Sequence, residues 1–77
     1  MITIKLSKNN RPTEPGAYLC QRFHGGYPNL VQVIQKNKTL DTISLWGCFP
    51  LKDFESCSIW SERIEFEVVE LERSEVV

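Results

Sequence analysis

The sequence holds one histidine, His24, an odd three cysteines, and no long apolar run. Each shortage excludes a class of function. Nucleophilic catalysis by Ser or Cys needs a histidine beside the nucleophile and a third group that orients it. Cys20 is near His24 in sequence, but one lies in a strand pattern and the other in a loop. No acid is marked to orient either, and no glycine-rich turn exposes a nucleophile. The required roles are not filled, so the chain reads as a non-enzyme. Gly25-Gly26 is followed by no Gly-Lys-Ser/Thr, which excludes a P-loop. No apolar stretch nears the roughly 20 residues of a membrane span. Residues 1–6 are too short and polar for a secretory signal. The expectation is a cytoplasmic protein with reduced thiols.

Charge of one sign is also missing. Nine Lys and Arg face ten Asp and Glu, for a net charge of −1. That balance sets up no field for a polyanion and gives no strong nucleic-acid signature. The distribution is uneven. Lys5, Lys8, Arg11, Arg22 and Lys36 precede Lys38 against the single acid Glu14, while residues 62–77 carry six Glu against Arg63 and Arg73. A solvated tail explains this, and so does pairing within or between subunits.

Metal binding has a thin case. Cys20, His24, Cys48 and Cys57 are four candidate ligands, and only the Cys20/His24 spacing approaches the tight pairs of closed zinc sites. Buried thiols acting as small hydrophobes are the simpler reading. No metal and no cofactor is expected.

What is present is β pattern. The 77 residues make a single small domain, 42% hydrophobic and 25% charged. Ile2, Ile4 and Leu6 alternate as a short strand. Residues 7–16 form a loop, with Pro15-Gly16 suited to the middle of a type II turn. Residues 17–23 and 30–35 form two strands, the second apolar on both faces as a central strand would be. Asn37 suits a left-handed turn before a strand over residues 39–46. Gly47-Cys48-Phe49-Pro50 breaks the pattern. Pro50 then opens one or two helical turns over residues 51–57, and residues 58–61 connect or extend briefly. Ile64, Phe66 and Val68 alternate as a strand, although Ile64, Val68 and Leu71 also match helical spacing. The fold class expected is mainly β: a small curved antiparallel sheet, or partly open barrel, of four to five strands with one short helical turn. A domain this small hides only roughly 60% of its chain surface. Self-association is therefore expected.

The candidate site gathers at the loop of residues 24–29. Arg22 can clamp an anion, and His24 and Tyr27 can stack or hydrogen-bond. Trp46 and Trp60 add two large faces if exposed, but tryptophans in small domains mostly serve the core. The loop itself has local reasons for its glycines, and loops are where binding residues collect.

Several short motifs resemble a group of small phage and prophage proteins of unknown function. The matching pieces are Pro15-Gly16, Tyr18-Leu19, the Gly25-Gly26 hairpin, Leu30-Val31-Gln32-Val33, Phe49-Pro50-Leu51 and Trp60-Ser61-Glu62-Arg63-Ile64. Ala17 departs from the group, where an aromatic is common. The resemblance implies a phage setting, and by analogy a protein that occupies a component of host defence. Two partners follow as expectations: a host protein, or a small anionic cyclic nucleotide immune signal held by an oligomer.

Overall fold

The computed structural model describes residues 1–67. Five strands form one open antiparallel sheet: β1 (Gly16–Gln21), β2 (Asn29–Lys36), β3 (Thr39–Ser44), β4 (Gly47–Pro50) and β5 (Ile59–Trp60), in the order β4-β3-β2-β1-β5. The architecture is mainly β, and the sheet does not close into a barrel. Two 3-10 turns, Lys8–Asn10 and Leu51–Asp53, are the helical pieces among the described residues. No helix there is long and apolar enough to cross a membrane.

The central three strands follow from sequence pattern. Tyr18 pairs with Val31 and Gly16 with Val33, while Val33 pairs with Thr42 on the other side. Side chains alternate across a strand, so Tyr18, Cys20, Val31, Val33 and Thr42 all fall on one face and are buried. The Thr42 hydroxyl, fully buried, donates to the Phe49 carbonyl at 2.8 Å. Asn37 closes the β2–β3 turn with φ 57, the left-handed region its short polar side chain tolerates.

The segment after β4 supplies the second layer. Leu51 and Phe54 fold back over the buried face and meet Trp60 of β5. Phe54 is the hub, with ring centroids 4.9 Å from both Phe49 and Trp60 and 6.1 Å from Trp46.

Five expectations change. Residues 2–6 form no strand; Met1, Ile2 and Ile4 are exposed, and only Ser7 makes a β-bridge, to Trp60. Period-2 patterning alone cannot form a strand without a free edge beside it. Residues 47–50 form β4 rather than a break, because Gly47, at φ 110, takes the positive angle that returns the chain after Leu45-Trp46. The helical turns over residues 51–57 shrink to the single 3-10 turn Leu51–Asp53, since Phe54 leaves it in extended conformation. Pro15-Gly16 is not a type II turn: Gly16 has φ 153 and already begins β1. The strand sought around Ile64 and Phe66 is one bridge between Ile64 and Ala17, with Phe66 exposed. Val68 and Leu71 lie outside the described residues.

Candidate binding surface at the loop end of the sheet

An antiparallel meander sends alternate connections to the same end. The β1–β2 loop and the β3–β4 turn therefore lie together, and Arg22 joins them. Its guanidinium carbon is 5.2 Å from the Phe23 ring centroid and 5.3 Å from that of Trp46. Phe49 and Phe54 close the surround at 5.2 and 5.1 Å. Within this aromatic box Arg22 donates to Glu55 through Nε (2.9 Å to Oε2) and an Nη (2.7 Å to Oε1). The side chains are 16% and 35% exposed. That fork-to-fork geometry is the strong form of the ion pair. The hydrogen bond to Arg22 holds the Glu55 carboxyl below the ordinary carboxylate range, helped by a backbone hydrogen bond and partly opposed by burial. It raises the already high Arg22 value further.

The loop itself is locally ordered. The Gly26 N–H donates to the Phe23 carbonyl at 3.0 Å, and Gly25 takes φ 80, an angle that favours glycine. The Asn29 amide donates to the Tyr27 carbonyl at 3.1 Å. Tyr27 is 88% exposed. His24 is also exposed and lines a cavity of about 180 Å³ with Gln21, Phe23, Cys57 and Ile59.

Of the five sequence candidates, Arg22, His24, Tyr27 and Trp46 converge on this end. Trp60 does not join them. It is fully buried, packed edge-on to Tyr18 and tilted against Phe54, so no face is left for a ligand. Trp46 is half-buried, with one side against Phe54 and Arg22. The cysteines are dispersed between core and surface: Cys20 is buried, while Cys48 and Cys57 are exposed. Burial pushes the Cys20 thiol up to about 12. Among the described residues no three His, Cys, Asp or Glu side chains group as metal ligands.

Three contributors were missed by sequence reasoning. Glu55 is 33 positions from Arg22, and nothing local marks that pairing. Phe54 falls in the segment read as helical turns, where nothing marks it as the hub of the aromatic cluster. Arg11 donates to three main-chain carbonyls, of Leu51 (2.9 Å), Phe54 (3.1 Å) and Glu55 (3.3 Å), and so ties residues 51–55 down. Beside that clamp, Arg11, Leu40, Pro50, Leu51 and Lys52 edge an open groove of about 490 Å³.

Arg22 already has a carboxylate on its fork, so it is a poor clamp for a second anion. Among the described residues the His24 ring makes no hydrogen bond to a cysteine or an acid, the minimum for a nucleophile–base pair. What faces outward is apolar and aromatic: Phe23 at 52%, Tyr27 at 88% and Leu45 at 86% exposed. No family model, curated protein or solved structure matches this chain.

Proposed function

We propose that the chain is a non-enzymatic binding protein that occupies a partner protein through the loop end of its sheet. The observation that carries this reading is the exposure of Phe23, Tyr27 and Leu45 on connections fixed from beneath by the Arg22–Glu55 box. Aromatic anchors on a rigid support are what interface hot spots use, because little side-chain entropy is lost on docking. The resemblance to phage proteins suggests the target class, a protein component of host defence met in the host cytoplasm.

The nucleotide sponge is the weaker reading. It needs Arg22 to hold a phosphate, and Glu55 already occupies that fork.

The test pairs an interaction assay with native mass spectrometry. The tagged chain and a Tyr27→Ala/Leu45→Ala variant are each exposed to lysate of the host. Under the proposal a protein is retained by the parent chain, is lost from the variant, and binds the purified parent directly. Both side chains are exposed, so the variant keeps the parent's circular dichroism. A nucleotide-sized mass held by the parent and lost in Arg22→Ala would move the lead to the sponge.

A further inference from the structure

The groove of about 490 Å³ lies at the end of the sheet away from Phe23 and Tyr27. Its floor is Leu40, Pro50 and Leu51, and Arg11, Thr39 and Lys52 edge it. Lys36 pairs with Thr39, and Lys38 sits in the turn between them. Lys36, Lys38 and Lys52 are exposed. The Arg11 guanidinium donates to three main-chain carbonyls, which carry no charge to cancel its own. Asp41, opposite Pro50, and Asp53, beside Lys52, are the acids on the same segments. Four cations against these two acids leave the rim positive over an apolar floor.

The sequence holds a segment of the complementary make-up. Residues 68–77 carry three Glu against Arg73, and Val69 and Leu71 alternate there with Glu70 and Glu72. The chain enters that segment at the same end of the sheet as the groove. Ile64 bridges Ala17, and Phe66 lines a hollow with Gly16 and Gln32. Gly16, Val33, Thr42 and Phe49 form one row across the strands, so the start of β1 and the end of β4 share a level. The two strands are three ladders apart, roughly 15 Å. A ten-residue segment spans up to about 33 Å, enough to cross that distance.

We propose that residues 68–77 of the same chain dock on this groove, with Val69 and Leu71 supplying the apolar contact and Glu70 and Glu72 the charge. Exposed ion pairs are individually weak, so apolar burial gives the affinity and charge selects the segment. A tethered segment meets its groove at an effective concentration on the order of millimolar, and modest contacts hold it there. The loop end stays open, so the partner surface at Phe23 and Tyr27 is untouched by this docking.

Methyl NOE spectroscopy of the full chain reads the contact without any substitution. The expected result is cross-peaks from Val69 or Leu71 to Leu40 and Leu51, lost in Leu71→Asp. A peptide of residues 67–77 added in trans should shift the signals of Leu40, Leu51 and Lys52 in the Leu71→Asp chain. It should bind the unsubstituted chain about tenfold more weakly or worse, because the groove there is already covered. Lys52→Glu, a change on the exposed rim, should weaken the peptide further. Absence of the cross-peaks in the full chain overturns the proposal. So do cross-peaks found only between labelled and unlabelled copies, which make a second chain the occupant. Equal affinity of the peptide for the unsubstituted and Leu71→Asp chains overturns it as well.

Discussion

Arg22 shows how the place of a side chain can be legible when its partner is not. Its position beside the loop follows from the strand pattern; its partner does not, since a carboxylate 33 residues away leaves no local trace. Two charged hydrogen bonds and four ring contacts make Arg22→Ala cost about 2–3 kcal/mol, measured by urea denaturation. Arg22→Lys keeps the charge but loses the fork, and recovers only part of that. The pH dependence has a definite sign. The Glu55 carboxyl is held low in the folded chain, so its contribution is complete above the unfolded carboxylate value of about 4.3. It is lost as pH falls through the lower folded value. The stability gap between the parent and Glu55→Gln therefore narrows from neutral pH to about pH 3. Cysteine behaviour is equally separable. Cys48 and Cys57 are exposed and Cys20 is buried with its thiol pushed up to about 12. Native alkylation followed by intact mass should stop at two adducts, and the third should appear only in denaturant.

Among the elements, the segment over residues 51–55 depends most on side chains. It has one 3-10 turn, too little backbone hydrogen bonding to hold itself. Arg11 supplies the rest by saturating three of its carbonyls. Removing it strips the Phe54 carbonyl of this donor and leaves those of Leu51 and Glu55 with only the Phe54 and Ser58 N–H groups. Arg11→Ala should cost about 2–4 kcal/mol, and lysine should not restore it, because one ammonium cannot reproduce the planar fork. Hydrogen exchange would locate the damage: amides of residues 51–55 speed up while those of β1 to β3 keep their protection. Nothing in the short run Asn9-Asn10-Arg11-Pro12 announces this role. The β2–β3 turn is the opposite case. Lys36-Asn37-Lys38 marks it, and Asn37 has the left-handed angle that its chemistry suggests.

For the whole molecule, the antiparallel meander of β1 to β3 was legible because period-2 burial and turn chemistry agree there. The edges were not. β4 is four residues long with a proline, and β5 has two residues; each exists because a neighbouring strand accepts it, which is tertiary information. The N-terminal pattern failed for the converse reason, a strand sequence with no edge assigned to it. Candidate site residues were found in proportion to how local their signal is. His24 and Tyr27 stand out in a loop. Trp60 looked like a possible platform, yet a tryptophan in so small a domain is the cheapest way to fill a core, and its burial is complete.

The contrast between the two tryptophans has an optical consequence. Trp60 is shut inside the core, whereas Trp46 is half-buried beside the Arg22 cation. A dissolved quencher such as acrylamide should therefore dim the emission of Trp46 and spare that of Trp60. With Trp46→Phe, the remaining glow reports only whether the core is intact; with Trp60→Phe, it reports what settles on the loop end. The protein carries its own pair of lamps, one in the core and one at the loop end, and no dye need be attached to watch either.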